Sequence, residues 1–273
     1  MFIAEIGINH NGNLEYAYEL IDMAYKAGAD VVKFQKRNPK KCVPKDQWHK
    51  KKKTPWGEMD YIDYKYRMEF GYSEYVALNA YCHKLGVKWT ASVWDIDSLE
   101  FLTDFNVPFI KIASASITDM KLLEAVRKTG IPVVLSTGMS TEEEIDKAVN
   151  VFEGYEDKLS IMHCNSSYPS AENELDLRII ERLKEKYPLN IIGYSGHEKG
   201  IQPTIAAKVL GAEIIERHIT LDKDMWGSDH SASLEYKELK ELIDNLNRVD
   251  NWLGSDNIKV YESEEKVKEK LRK

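Results

Sequence analysis

The chain has 273 residues, of which 43% are hydrophobic and 30% charged, with a formal net charge of −7. This length and composition can bury a large core, which excludes a disordered protein and fits either one α/β barrel or two smaller domains. The acidic balance argues against a nucleic-acid partner, although it leaves room for a local basic pocket for an anionic metabolite.

Eight short apolar runs typical of buried strands recur along the chain. They lie at 2–8, 30–35, 88–93, 109–114, 132–137, 159–164, 190–195 and 212–218. Amphipathic segments with helical periodicity separate them, and a Gly often ends the segment. Eight β-then-α units predict a single α/β domain over 1–273, a (β/α)8 TIM barrel, rather than an open doubly wound sheet.

Two segments depart from the simple repeat. The one from Lys36 to Tyr72 is longer than an ordinary βα loop, and we interpret it as an active-site lid. The segment 235–254 supplies the eighth helix, and the Lys/Glu-rich end after it is a terminal helix or a frayed tail.

Cysteine usage and hydropathy indicate the compartment. Cys42, Cys82 and Cys164 form no CxxC pair, and an odd count suits a reducing environment. The sequence opens without a signal-peptide pattern, and no apolar run approaches the roughly 18 residues needed to cross a bilayer. We therefore expect a cytoplasmic protein with no membrane partner.

Polar residues gather at the predicted carboxyl ends of the strands, which build the active-site face of a TIM barrel. They are Glu5, Asn9, His10, Lys33, Gln35, Ser92, Trp94, Lys111, Ser114, Ser136, His163, Ser166, Tyr168, Ser195, His197, Glu216, His218 and Asp229.

Lys33 and Lys111 interrupt otherwise apolar strands, and a buried ammonium is costly unless it meets an anion. One interpretation is an internal Lys–Glu ion pair. The other is a cradle for a phosphate and a carboxylate, in which short hydroxyl donors surround two point charges. The hydroxyls at neighbouring strand ends favour this second interpretation: Ser92, Ser114, Ser136 and Ser195.

His197 and His218 end the seventh and eighth strands, which are adjacent in a barrel. A lone histidine at a strand end is more often a core or hydrogen-bonding residue than a metal ligand. Two on neighbouring strands, with Glu5 closing the ring on the first strand, indicate a divalent metal with positions left for substrate. An ion that prefers octahedral geometry, such as Mn²⁺, fits better than structural Zn²⁺, which would need more protein ligands.

Seven motifs, in order, resemble the sialic acid synthase (N-acetylneuraminate synthase) family. They are AEIGINHNG at 4–12, ADVVKFQ at 29–35, IKIAS at 110–114, LSTGM at 135–139, HCNSSYP at 163–169, GYSGH at 193–197 and ERHITLD at 216–222. The resemblance concerns the family's catalytic barrel. It implies a transferase that condenses phosphoenolpyruvate with an N-acetylmannosamine-type aldose, giving a nine-carbon 2-keto-3-deoxy acid and phosphate.

The resemblance also implies roles for individual residues. It places the metal on His197 and His218, with Mn²⁺ expected and Mg²⁺ or Co²⁺ as alternatives. Glu5 would handle a proton either of the attacking water or of the aldehyde oxygen. The implied phosphoenolpyruvate contacts are Lys33, Ser92, Lys111, Ser114, Ser136 and Ser195. The implied sugar contacts are Gln35, Tyr168 and Asp229.

Departures from the family pattern leave the acceptor open. Some members carry Glu and Asn where this chain has Ser116 and Ser166, near the sugar. The acceptor could therefore be a mannose, a 6-phosphosugar or a di-N-acetylated sugar instead. We also expect the antifreeze-like C-terminal domain of many members to be absent. The formation of a homodimer and the means by which the sugar pocket is covered therefore stay open.

Three other interpretations are open. Octulosonate-phosphate and heptulosonate-phosphate synthases use the same donor, but their metal-dependent members use a Cys near strand one, where this chain has none. A non-catalytic sugar-binding barrel is the second alternative. For Asp229 alone, a helix N-cap competes with sugar binding.

Overall fold

The structure, a computed structural model, describes residues 1–272. Its strands are β1 (Phe2–Gly7), β2 (Val31–Lys36), β3 (Lys51–Thr54), β4 (Gly57–Asp60), β5 (Lys88–Val93), β6 (Ile110–Ile112), β7 (Val133–Ser136), β8 (Leu159–Cys164), β9 (Ile191–Gly196) and β10 (Ile214–His218). Its α-helices are α1 (Leu14–Ala27), α2 (Pro39–Cys42), α3 (Tyr61–Met68), α4 (Tyr72–Leu85), α5 (Ile96–Thr103), α6 (Met120–Lys128), α7 (Glu142–Asn150), α8 (Ile179–Lys186), α9 (Gln202–Val209), α10 (Tyr236–Leu253) and α11 (Glu262–Leu271).

Eight parallel strands close into a barrel in the order β1-β10-β9-β8-β7-β6-β5-β2. Closure comes from the pairing of β1 with β10, in which Glu5 is the register partner of His218. Each of the eight predicted strands is present, and helices connect them. The predicted (β/α)8 barrel is therefore confirmed.

The barrel interior is built in layers because successive side chains of a strand point to opposite faces. Six apolar side chains, one from or beside each of six strands, form a separate cluster at the floor: Ile3, Val31, Phe109, Val134, Met162 and Ile214. Two residues further along the same strands, the inward positions become polar: Glu5, Lys33, Lys111, Ser136, Cys164 and Glu216. The apolar floor therefore supports a polar layer at the carboxyl ends of the strands.

The predicted lid segment is an ordered insert between β2 and α4. It holds α2, the antiparallel hairpin β3–β4 and α3. Trp226, from the loop after β10, packs edge-on against Trp56 (5.7 Å between ring centroids) and Tyr64 (5.5 Å) of this insert. These aromatic contacts join the insert to the loop on the opposite side of the β1 strand end.

Helix α1 is capped at both ends, and it ends at a glycine as the sequence predicts. Asn13 accepts a hydrogen bond from the Glu15 amide at the start of α1, and Gly28 ends that helix with a φ of 96°. The predicted eighth helix is α10, which buries one apolar face, whereas α11 is exposed along its length. Among residues 1–272, no helix combines the length and apolar character that a bilayer span requires.

Candidate active site

One cavity of about 150 Å³ lies in the polar layer at the carboxyl end of the barrel, and we call it the barrel pocket. Its wall contains most of the polar residues predicted at strand ends: Glu5, Lys33, Gln35, Ser92, Trp94, Lys111, Ser114, Ser136, Ser166, Tyr168, Ser195, His197, Glu216 and His218. The structure therefore brings these residues together around one cavity.

Four buried charges form the centre of the barrel pocket. Lys33 Nζ lies 2.6 Å from Glu5 Oε2 and 3.6 Å from Glu216 Oε1. Lys111 Nζ lies 3.8 Å from the same Glu216 oxygen and donates a hydrogen bond to Ser136 Oγ at 2.6 Å. The internal ion pair considered for Lys33 is therefore present, and it lies in the wall of the barrel pocket.

The pKa values of the two carboxyl groups are shifted in opposite directions. Burial raises the pKa of Glu5, and the Lys33 ammonium offsets only part of this rise. Burial also acts to raise the pKa of Glu216, but Lys111 and Lys33 together hold it below the usual value. A carboxyl group with a raised pKa can act as an acid or a base, whereas one with a lowered pKa stays ionised and serves as a permanent counter-charge. Glu5 has the first character and Glu216 the second.

The two imidazoles are neutral and face the barrel pocket. Burial, followed by the neighbouring His218, lowers the pKa of His197 to about 3, and burial likewise lowers the pKa of His218. The Nδ1 of His197 contacts the Asn165 carbonyl oxygen at 2.5 Å, and its Nε2 contacts the Tyr168 hydroxyl at 2.9 Å. The ring centroids of the two histidines lie 5.5 Å apart.

The hydroxyls predicted for the donor cradle lie around the lysines. Ser195 Oγ donates to Glu216 Oε1 at 3.3 Å, and Ser114 Oγ accepts from the Gly138 amide at 3.0 Å. A Cβ at Gly138 would come within 2.3 Å of Ser166 Oγ. The glycine of the LSTGM motif therefore permits a close approach of backbone to the pocket hydroxyls.

Of the three predicted sugar contacts, Gln35 and Tyr168 line the barrel pocket and Asp229 lies beside it, and we call this region the mouth. Gln35 Nε2 donates to Glu5 Oε1 at 3.1 Å, and Tyr168 reaches His197 as described. Asp229 is outside the pocket wall, but its Oδ2 lies 3.9 Å from His218 Nδ1. The N-cap interpretation of Asp229 is wrong, because Glu235 precedes α10 and the Asp229 side chain makes no capping hydrogen bond.

Three predicted strand-end residues have structural roles instead. The Asn9 amide donates to the Ile219 carbonyl and to Ser233 Oγ. His10 stacks on Phe70 with 4.1 Å between centroids. His163 contacts the Leu175 carbonyl through Nε2 at 2.7 Å, and it points away from the pocket because Met162 and Cys164 on either side face inward.

Sequence reasoning missed a buried ion pair behind the histidines. Arg217 and Glu198, both fully buried, are joined by a 3.0 Å contact, and Arg217 Nη2 donates to the Glu198 carbonyl at 2.7 Å. Glu198 follows His197 in the chain and Arg217 precedes His218, so this pair ties together the strand ends that carry both imidazoles. Alternation of side chains along the strand IIERH could have revealed the outward position of Arg217. Because Glu216 and His218 face the barrel interior, Arg217 between them must face outward.

The fold and the site together define a TIM-barrel enzyme that carries two lysines, clustered hydroxyls and two neutral imidazoles at the carboxyl ends of its strands. The sequence profile of the NeuB family matches residues 20–258. Human N-acetylneuraminate-9-phosphate synthase is 38% identical over 276 residues, which cover 99% of this chain and 76% of that protein.

Two further comparisons agree. The N,N'-diacetyllegionaminic acid synthase of Campylobacter jejuni is 34% identical over 275 residues, covering 97% of this chain and 81% of that protein. The crystal structure of N-acetylneuraminic acid (sialic acid) synthetase from Leptospira borgpetersenii superimposes with a TM-score of 0.87 at 34% identity, covering 99% and 92% of the two chains. This chain belongs to the NeuB family.

Proposed function

We propose that this chain is a sialic acid synthase-type enzyme, which condenses phosphoenolpyruvate with an N-acetylmannosamine-type aldose. The products are a nine-carbon 2-keto-3-deoxy acid and inorganic phosphate. The relatives support this reaction class, since they are synthases of N-acetylneuraminate 9-phosphate and of N,N'-diacetyllegionaminic acid. The observation that carries the proposal is the barrel pocket, where two buried lysines and several hydroxyls adjoin two neutral imidazoles.

The inner part of the barrel pocket binds the donor. Phosphoenolpyruvate brings a phosphate and a carboxylate, and Lys33 and Lys111 supply two fixed positive charges for them. The further donor contacts are Ser92, Ser114, Ser136 and Ser195. Lys33 and Lys111 each keep an acidic partner nearby in Glu216, so a bound anion shares these ammonium groups with that carboxylate.

The bond changes follow from the donor's chemistry. C3 of the enol phosphate attacks C1 of the open-chain aldehyde, forming the new C–C bond and placing positive charge at C2. Water adds at C2, and the tetrahedral intermediate expels phosphate by C–O cleavage. Glu5 is suited to move a proton of the water or of the aldehyde oxygen, because burial raises its pKa toward the working range.

The residues fit a divalent metal, for which we propose Mn²⁺ with Mg²⁺ and Co²⁺ as alternatives. Neither ring nitrogen of His218 makes a hydrogen bond within residues 1–272, and its Nδ1 is buried. An unpaired, neutral, buried imidazole favours a ligand role. The metal would supply Lewis-acid polarisation of the aldehyde. His197 and His218 would be its protein ligands, since the described residues hold no group of three or more His, Cys, Asp or Glu that could bind an ion without substrate or water.

The mouth binds the acceptor. Gln35, Tyr168 and Asp229 present an amide, a phenol and a carboxylate, which suit the hydroxyls of an open-chain sugar. Ser228 Oγ donates a hydrogen bond to Asp229 Oδ1 at 2.6 Å. The other carboxylate oxygen, Oδ2, has only His218 Nδ1 nearby, at 3.9 Å, so it can accept from a sugar hydroxyl.

The test is a measurement of phosphate release from phosphoenolpyruvate by the purified chain, with and without an aldose. The panel contains mannose, N-acetylmannosamine, its 6-phosphate and a di-N-acetylated hexose, each with Mn²⁺, Mg²⁺ or Co²⁺. We expect aldose-dependent phosphate release and a product of the corresponding nine-carbon acid by mass spectrometry. Absence of aldose-dependent release across the panel would contradict the proposal.

A further inference from the structure

The parallel ladder that joins β9 to β10 ends one residue before each imidazole. Its last register pair is Gly196 with Arg217, and the ladder between β8 and β9 ends one residue earlier along β9. His218 is still held by β1, because it is the register partner of Glu5. His197 lies beyond the ladders on both sides of its strand, so contacts other than sheet pairing must fix its position.

The guanidinium of Arg217 supplies such contacts from the β10 side. Its Nη2 donates to the Glu198 carbonyl oxygen at 2.7 Å, and its Nη1 donates to the Gly200 carbonyl oxygen at 2.9 Å. Both carbonyls belong to the segment directly after His197. From the loop after β8, the Ser170 amide donates to the His197 carbonyl oxygen at 3.0 Å. The side chain of a β10 residue therefore holds the backbone that continues from His197.

The Glu198 carboxylate in turn fixes the guanidinium. Its Oε1 lies 3.0 Å from Arg217 Nη1 and accepts from the Thr204 hydroxyl at 2.6 Å. Its Oε2 accepts from the Tyr194 hydroxyl at 2.9 Å. Glu198, Arg217 and Thr204 are all fully buried. Charge-assisted hydrogen bonds from three side chains give the carboxylate one orientation, and the guanidinium is held with it.

The ion pair also packs against the backbone just before His197. A Cβ at Gly196 would lie 2.5 Å from Glu198 Oε2 and 2.9 Å from Arg217 Cδ. Only glycine permits so close an approach of side chains to the backbone. The pair therefore contacts the chain on both sides of His197, at Gly196 and at the two carbonyls that follow.

We propose that Arg217 and Glu198 are positioning residues of the metal site, which hold the His197 imidazole in place relative to His218. This inference rests on the proposed metal ligands and adds two residues on the outer side of the strands. Residues that orient metal ligands in this way typically change metal affinity by roughly 10- to 100-fold when they are replaced. An ion pair that only stabilised the barrel would leave the metal affinity of the folded protein unchanged.

The experiment measures Mn²⁺ binding to the purified chain by equilibrium dialysis without substrates, together with thermal unfolding. Arg217→Lys keeps a positive charge beside Glu198, but a compact ammonium does not reproduce the planar fork that serves both carbonyl oxygens. We expect the dissociation constant for Mn²⁺ to rise by roughly 10-fold or more. Phosphate release should fall at low Mn²⁺ and return to within about threefold of the unaltered chain at high Mn²⁺.

Thr204→Val is the matched control. The Thr204 hydroxyl bonds to the side chains of Glu198 and Arg217, but it makes no hydrogen bond to the backbone of residues 196–200. The substitution should lower the midpoint of thermal unfolding, because the buried carboxylate loses a donor. It should leave the dissociation constant for Mn²⁺ unchanged.

A double variant separates the geometry of the pair from its charge. Arg217→Met combined with Glu198→Gln leaves no unpaired ion in the interior, so it avoids the main cost of breaking a buried pair. It also removes the donor to the carbonyl oxygens of residues 198 and 200. We expect it to fold and to weaken Mn²⁺ binding at least as much as Arg217→Lys does.

Unchanged Mn²⁺ affinity in folded Arg217→Lys and in the folded double variant would overturn the inference and leave the metal site in place. An equal loss of affinity in Thr204→Val would also overturn it. Failure of both pair variants to fold would show that the pair serves the stability of the barrel alone. If the unaltered chain bound none of Mn²⁺, Mg²⁺ and Co²⁺, the proposed metal ligands and their positioning residues would fail together.

Discussion

The barrel pocket and a second cavity of about 290 Å³, between the insert and the barrel, each contain two cationic side chains, but they differ in how these cations are paired. Lys33 and Lys111 are buried on every side by strands, and each meets a carboxylate within 4 Å. In the second cavity, Arg37 meets Glu69 at 3.0 Å, whereas Lys65 has no ion pair within residues 1–272 and burial lowers its pKa. An ammonium group enclosed by the barrel strands is stable only with a carboxylate beside it. An ammonium group nearer the surface costs less without such a partner, so it can remain unpaired until a substrate binds.

Because of this difference, we expect the two regions to control different steps of the reaction. A change in the barrel pocket disturbs a closed network and should affect donor binding or turnover. A change at the mouth should affect the acceptor alone. Four substitutions test this division, and they follow in order of decreasing expected effect.

Removal of an imidazole should break the barrel pocket most severely. His218→Ala should reduce phosphate release by on the order of 1,000-fold or more, since a metal ion contributes several kcal/mol to stabilising the transition state. The assay is run after chelation and Mn²⁺ replenishment, with Mn²⁺ binding measured separately by equilibrium dialysis. His83→Ala on the exposed face of α4 is the control. Near-normal activity and metal binding in His218→Ala would refute the metal site.

Removal of a donor cation should have the next largest effect. Lys111→Met keeps much of the packing of the stem but deletes the charge, so KM for phosphoenolpyruvate should rise by roughly 10- to 100-fold. KM for the acceptor should change little. Lys128→Met, at an exposed position of α6, controls for net charge. An unchanged donor KM would exclude Lys111 from the cradle.

A neutral substitution at the mouth should affect the acceptor alone. Asp229→Asn keeps the shape but weakens hydrogen bonds to a polyol, so kcat/KM for the acceptor should fall by about 10-fold, with donor KM unchanged. The matched control is Asp224→Asn, at an exposed position of the same loop. If the acceptor kinetics stayed normal, sugar recognition would have to rest on Gln35, Tyr168 and the insert.

Loosening the insert should have the smallest effect. Trp56 is 37% exposed and packs on Trp226, and such aromatic pairs contribute roughly 0.5–1.5 kcal/mol. Trp56→Ala should therefore raise the acceptor KM by a few-fold and leave the donor KM unchanged, while Trp56→Phe keeps a ring and should change less. A larger effect on the donor than on the acceptor would show that the insert does not act at the mouth alone.

The sequence predicted the inner site well because strand alternation is a local rule. Once Ile3 and Val31 face inward, Glu5 and Lys33 must face inward as well. The same rule places His163 outside the barrel pocket and places Arg217 on the outer face of its strand, where it pairs with Glu198. The motifs alone indicated His163 as a candidate site residue and did not indicate Arg217.

The sequence by itself therefore determined the barrel, the NeuB family and the set of polar side chains at the strand ends. Only the tertiary structure decided that Lys33 pairs with Glu5 and that Arg37 and Lys65 line the same cavity. It also decided that Glu235, and not Asp229, is the N-cap residue of α10. Periodicity fixes which face of a strand a side chain occupies. The folding of an aperiodic insert against a distant loop depends on packing between segments about 160 residues apart, as for Tyr64 and Trp226, and no local pattern encodes that contact.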